Sequence, residues 1–198
     1  DGAVGGQHAG KLALGVDLPG EAAGTLWPPK NWTGYSVTRV PFGQEISVTA
    51  MQLVRSFCII ANGGRAVRLH IVSAMVDSDG GIIELRPPAS NVGFVIRPET
   101  ARWLVTDALT GVVNEGTGKK AKLEKWQVFG KTGTANMAKS DQRGYEDDAY
   151  IASFIAGAPA EDPAVVVLVS VRKPNVHLGK GYTGGAVASP VVGAIMEK

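Results

Sequence analysis

The chain of 198 residues is poor in the groups on which several common chemistries depend. Its single cysteine, Cys58, excludes an internal disulfide and says little about redox compartment. Cys58 falls on the apolar side of a helical pattern, where a structural thiol is expected rather than a nucleophile. The three histidines, His8, His70 and His177, lack the spacing of a ligand set, so no zinc centre or other metal is expected. No run of about eighteen apolar residues occurs, so no helix within this stretch spans a membrane. Charge of either sign is scarce, with a net of only +2, and no nucleic-acid partner is implied. The one basic cluster, Lys119, Lys120, Lys122 and Lys125, reads as a solvated surface. A signal-peptide pattern and a start methionine are both missing, and the opening at Asp1 fits a processed, trimmed or subcloned piece.

Motifs that begin well also fail. Gly118-Lys119-Lys120 has valine at position 113 where a phosphate loop needs glycine, and no Ser or Thr follows its lysine pair. Asp77-Ser78-Asp79-Gly80 opens like a calcium loop but reaches Pro88 where the bidentate glutamate belongs. No Gly-x-Ser-x-Gly elbow exists for a hydrolase triad. No cofactor is expected.

What is present is glycine, 26 of them, and 44% apolar residues, enough for many tight turns and a packed core. Residues 1–46, rich in Gly and Pro, read as an irregular segment laid over the body of the domain, and 47–198 as its helices and strands. Ser47 to Ala61 carries apolar residues at helical spacing (Ala50, Leu53, Val54, Phe57, Cys58, Ala61). Ser47 or Thr49 is available as its cap and Asn62-Gly63-Gly64 as its stop. Val67 to Leu85 suits a hairpin turning at Asp77–Gly81. A second helix is expected from Pro98, burying Ala101, Leu104, Val105, Ala108, Leu109 and Val112.

Three strand-like runs follow: Trp126 to Ala135, Tyr150 to Ala158 and Ala164 to Val171. The short link through Pro159 to Pro163 favours antiparallel pairing of the last two. Val165 to Val169 is apolar on both faces and is expected to be central in a covered sheet. Ser140 to Asp148 reads as a polar loop with a solvated Glu146-Asp147-Asp148 run. A last helix from Ser189-Pro190 is expected to bury Val191, Val192, Ala194 and Ile195. Helices on an antiparallel sheet make the expected class α+β, in mixed α/β layers.

The chemistry concentrates at Phe129-Gly130-Lys131-Thr132-Gly133-Thr134, a Lys-Thr-Gly triplet inside an apolar, strand-favouring run. Acyl transfer requires an activated nucleophile, a proton shuttle, and donors aimed at the developing oxyanion. A strand at a cleft edge offers backbone groups to an extended peptide, and Gly133 lets a substrate approach closely. Lys131 and Thr132 point to opposite faces of a regular strand, one beneath the cleft floor and the other at its rim. A cation there favours a carboxylate. The nucleophile motif that usually accompanies such a strand, Ser-x-x-Lys, is matched only by Ser170-Val171-Arg172-Lys173. That match lies in a strand, where residues three apart face opposite sides, and is coincidental. No Ser-x-Asn or Tyr-x-Asn occurs.

Seven blocks in order resemble the C-terminal two-thirds of a class B penicillin-binding protein transpeptidase domain. They are Gly15 to Glu21, Phe42 to Leu53, Ala61 to Gly64, Glu115 to Gly118, Gly130 to Ala135, Tyr150 to Pro159 and Tyr182 to Pro190. The resemblance implies a serine β-lactamase/D-peptidase-like antiparallel sheet with flanking helices, incomplete at its N-terminal side. It also implies a peptidoglycan D,D-transpeptidase that cross-links stem peptides through a serine acyl-enzyme and is acylated by β-lactam antibiotics. Lys131, Thr132 and Gly133 map onto the family's third motif, which binds the terminal carboxylate. The Thr134 N–H maps onto one oxyanion-hole donor, so Lys131 and Thr134 carry the catalytic expectation and Lys131 to Thr134 the substrate-binding one. The nucleophile is expected in a missing N-terminal part of the domain or in a companion chain, leaving these residues inactive alone. The resemblance further implies a periplasmic or extracytoplasmic setting, an N-terminal membrane anchor outside this chain, and division proteins as partners. Two alternatives stay open: a non-catalytic relative that binds peptidoglycan or protein, and a β-lactam hydrolase or sensor domain.

Overall fold

A computed structural model describes residues 14–17, 19–85, 93–142 and 144–198; His8 and Leu18 lie outside them. The chain divides into two compact units, Asp1–Arg55 with Arg68–Asn91, and Ser56–Val67 with Val92–Lys198.

In the first unit, β1 (Thr25–Leu26) pairs antiparallel with β2 (Ile46–Ser47). Between them lies α1 (Ser36–Arg39), which runs on into a 3₁₀ turn. The buried Ser36 hydroxyl donates to the Glu45 carboxylate at 2.6 Å, and Glu45 lies in the left-handed region (φ 62°). Helix α2 (Ala50–Ala61) begins at a reciprocal capping box. The Gln52 N–H donates to Thr49 Oγ1 at 3.2 Å, and the Thr49 N–H donates to Gln52 Oε1 at 2.8 Å. Ser47 is not the cap, because its backbone is used in the pairing with Thr25. The hairpin appears as β3 (Ala74–Val76) and β4 (Ile82–Leu85), with Asp77 Oδ1 accepting from the N–H groups of Asp79 and Gly81. The strand expected from Val67 starts later. The Asp17 carboxylate accepts the Ile71 and Val72 N–H groups at 2.8 and 3.0 Å and so takes them out of any ladder.

In the second unit the end of α2 closes in a left-handed stop. Gly63 and Gly64 have φ of 62° and 85°, and the Gly64 N–H returns to the Ile59 carbonyl at 2.9 Å. The helix expected from Pro98 has three parts: α3 (Pro98–Trp103), a π turn over Leu104–Ala108, and α4 (Leu109–Asn114). The wide turn slows the rotation of the helix, so the buried stripe repeats every four residues through Ala101, Val105, Leu109 and Val113, and Val113 takes the place expected for Val112.

The sheet is a three-stranded antiparallel meander, β5 (Phe129–Ala138), β6 (Tyr145–Ala158) and β7 (Val165–Arg172), in the order β5-β6-β7. β6 is therefore central, and β7 is an edge strand among the described residues, not the central strand its apolarity suggested. The two-sided apolarity has another cause. Val166 packs with Phe57, Leu109 and Phe129 on one face, and Val167 and Val169 pack with Phe154, Ala188 and Val192 on the other. Glu146, Asp147 and Asp148 form the start of β6 rather than a loop, with Glu146 paired to Lys173 at 2.8 Å.

Helix α5 (Ser189–Met196) covers the second face, entered through a π turn over Gly184–Ala188. Its buried side is Ala188, Ser189, Val192 and Gly193; Val191 and Ile195 are exposed, against expectation, as is Ala194. The reason is close packing: a Cβ at Gly193 would lie 3.2 Å from the Ala121 Cα, so the glycine side is the one that fits. The architecture is α+β, with helices on both faces of an antiparallel sheet.

Candidate active-site strand

Strand alternation separates the four candidate residues into two pairs. Thr132 and Thr134 share a face with Gly130 and, across the ladder, with Phe154 and Ala156 beneath α5. Lys131 and Gly133 share the other face with Phe129, Ile155 and Ser153. Lys131 is exposed, and its Nζ donates to the Thr132 carbonyl at 2.8 Å. Gly133 opens onto free space, since the nearest atom to a Cβ built there is the Ser153 Cβ at 3.9 Å. β5 pairs only with β6 among the described residues, so alternate peptide groups line an unpaired edge.

The Thr132 and Thr134 hydroxyls are both held. Thr132 Oγ1 lies 2.7 Å from Thr117 Oγ1, and Thr134 Oγ1 accepts the Gly184 N–H at 3.2 Å. Two separate segments therefore close on the strand, the Gly116-Thr117-Gly118 turn after α4 and the Gly184-Gly185 entry to α5. The fit is tight enough to require glycine. A Cβ at Gly184 would overlap the Ser153 carbonyl and sit 2.6 Å from that of Gly133. One at Gly185 would overlap the Thr117 carbonyl. Neither Thr117 nor the two glycines stood out from sequence as site residues. Their only signal was membership of the blocks Glu115 to Gly118 and Tyr182 to Pro190.

Further along the threonine face, Tyr150 stands opposite Asn136 and stacks on Tyr182, with ring centroids 4.2 Å apart and planes inclined by 22°. Desolvation, followed by the neighbouring Tyr182, Asp148 and Asp147, raises the Tyr150 phenol above its ordinary range. Cys58 is half-buried and its thiol is likewise pushed up, by burial. Among the described residues no group of His, Cys, Asp or Glu can hold a metal ion, and no helix is long and apolar enough to cross a membrane.

Residues 5–197 match the family described as the penicillin binding protein transpeptidase domain. The chain belongs to that family. Stage V sporulation protein D of Bacillus subtilis is 38% identical over 184 residues, covering 92% of this chain and 27% of that protein. The probable peptidoglycan D,D-transpeptidase PbpC of Pseudomonas aeruginosa is 30% identical over 194 residues, covering 96% and 31%. Penicillin binding protein 3 of Mycobacterium tuberculosis, solved in complex with ampicillin, superposes with a TM-score of 0.81 at 29% identity, over 94% of this chain and 43% of that one. The class B transpeptidase resemblance holds, and with it the fold. The chain spans about a third or less of the length of these two curated relatives.

Proposed function

We propose that this chain is the C-terminal part of the catalytic domain of a peptidoglycan D,D-transpeptidase and supplies the strand along which a stem peptide lies. The observation that carries the reading is the free edge of β5, where the Lys131 cation, two held threonine hydroxyls and an uncrowded Gly133 occur within four consecutive residues. The Thr132 and Thr134 hydroxyls bind the terminal carboxylate of the donor peptide, the Lys131 cation on the other face favours it through its charge, and Gly133 admits the peptide backbone. The Thr134 N–H donates to the carbonyl oxygen as negative charge develops there.

A serine outside this chain adds its Oγ to the penultimate carbonyl carbon. The C–N bond breaks, the serine proton passes to the departing amine, and an ester remains. The amine of a second stem peptide then attacks that ester and releases the serine. A β-lactam enters the first step in the same way, but its leaving amine stays tethered in the opened ring.

The sheet supports an incomplete domain. β7 packs partly buried valines on both faces and its outer edge is unpaired among the described residues, the environment of an interior strand awaiting neighbours. The missing N-terminal part of the same domain, or a companion chain, supplies those strands and the nucleophile. The reading places the protein at the extracytoplasmic face of the bacterial inner membrane, anchored by a helix outside this chain. The block Phe42 to Ser47 is closer to division-type than elongation-type members, which makes division proteins the expected partners.

Incubating both the longer protein and these 198 residues with a penicillin, then taking denaturing intact masses, tests the proposal. A stable adduct on the longer protein, at a serine outside this chain, is expected. Acylation of any serine within the chain, or no adduct on the longer protein, overturns it.

A further inference from the structure

We infer that Thr117 is a positioning residue: its hydroxyl donates to Thr132 and thereby leaves the Thr132 proton free for an anionic group at the β5 edge. The inference rests on the carboxylate-binding role proposed for Thr132.

The argument begins with proton count. Each hydroxyl carries one proton and two lone pairs, so the 2.7 Å contact between Thr117 Oγ1 and Thr132 Oγ1 holds one of the two protons and leaves the other free. Either direction serves an empty site. A carboxylate is acceptor-only, and once it meets Thr132 Oγ1 the Thr132 proton must turn toward it. The contact with Thr117 then survives only with Thr117 as donor. In that direction it also polarises the Thr132 O–H and strengthens the bond to the anion.

Thr134 is arranged alike. Its Oγ1 accepts the Gly184 N–H at 3.2 Å, so its own proton is uncommitted. The two threonines are two residues apart on one face, about 6.8 Å, a gap that one carboxylate accepting a bond of about 2.7 Å on each side can bridge. Two fixed donors behind two hydroxyls thus present two protons to one anion.

Thr117 is well placed for the task because its turn has little freedom. The Gly118 N–H donates to the Val112 carbonyl at 2.9 Å, and the wholly buried Ser189 hydroxyl donates to the Gly118 carbonyl at 3.2 Å. The Gly185 backbone lies against the Thr117 carbonyl, and a Cβ at Gly118 would be 2.9 Å from the Phe154 ring. The turn is pinned from α4, α5 and the sheet, with the Thr117 side chain left pointing at Thr132.

The test uses the longer protein with its nucleophile and measures second-order acylation by benzylpenicillin and by its carboxyl methyl ester. Thr117→Val should lower the rate with the free acid about tenfold, the upper end of what one neutral hydrogen bond contributes. It should leave the ester rate within about twofold, because the neutral ester lacks the charge. Thr117→Ser should restore the acid rate, and Thr117→Ala should repeat the valine result should valine disturb folding. Equal losses with acid and ester, or no loss with acid, overturn the role of Thr117 while leaving the proposed function standing. Failure of the unsubstituted protein to be acylated removes both.

Discussion

Gly133 and Gly184 touch the same ladder position, yet alanine should act oppositely at the two. At Gly133 an added Cβ meets nothing nearer than 3.9 Å, an ordinary contact, and the backbone is not in the left-handed region. Replacing a strand glycine removes conformational entropy from the unfolded chain, a gain of about 0.5–1 kcal/mol. In a domain of this size that raises Tm by about 1–4 °C. The same methyl occupies the space through which a peptide or β-lactam reaches the strand, so acylation of the longer protein should fall at least about tenfold. At Gly184 the Cβ collides with two carbonyl oxygens of the ladder, which are backbone and cannot swing away. Overpacking of this kind costs about 1–3 kcal/mol, and displacing the bond to Thr134 adds about 1 kcal/mol. The resulting fall of about 2–4 kcal/mol lowers Tm by about 4–16 °C. Thermal unfolding alongside acylation kinetics separates the two. A Gly133→Ala protein that unfolds several degrees earlier, or reacts as fast as its parent, refutes the reasoning about open space. An unchanged Tm for Gly184→Ala refutes the reasoning about contact.

Two further outcomes are expected. Phe129 is wholly buried and stacks on Phe57 with centroids 5.6 Å apart and planes 7° from parallel, so Phe129→Ala should cost about 3–5 kcal/mol in denaturant unfolding, and a cost below 1 kcal/mol would contradict its place in the core. The Tyr150 phenol is neutral when protonated and is raised in the folded state. Its contribution is complete below the unfolded value of about 10 and is lost as pH climbs through the higher folded value. Tyr150→Phe should therefore flatten the decline of Tm with alkaline pH, and an unchanged decline would show the shift to be unimportant.

The sequence made some of this plain and hid the rest for identifiable reasons. Thr49 ahead of an apolar stripe and Gly63-Gly64 behind it are local signals, and α2 starts and stops by them, the reciprocal bond from Gln52 being added by the structure. The antiparallel pairing of β6 with β7 was legible because the link through Pro159 to Pro163 is short. β7 was misplaced because apolarity on both faces reports layers above and below, not neighbours to left and right. Val191 and Ile195 looked like core by helical period, but the side of α5 that packs is the one small enough for contact with Ala121. Lys131 to Thr134 was visible as a pattern of four letters. Thr117, fifteen residues before Thr132, was not, because a hydroxyl pair is made by folding and leaves no periodicity.

The ceiling over Thr134 is assembled from residues translated some fifty positions after it. β5, β6 and β7 can pair as they emerge from the ribosome, each strand meeting the one before. The threonine face, however, is covered only by Val113, Thr117, Ala121 and their neighbours until Gly184, Ala188 and Val192 arrive to complete it. During that interval the nascent sheet exposes Phe154 and Ala156 to whatever else is nearby. A chain cut short before Gly184 would carry the Lys-Thr-Gly letters paired to β6 but without the N–H that holds the Thr134 hydroxyl.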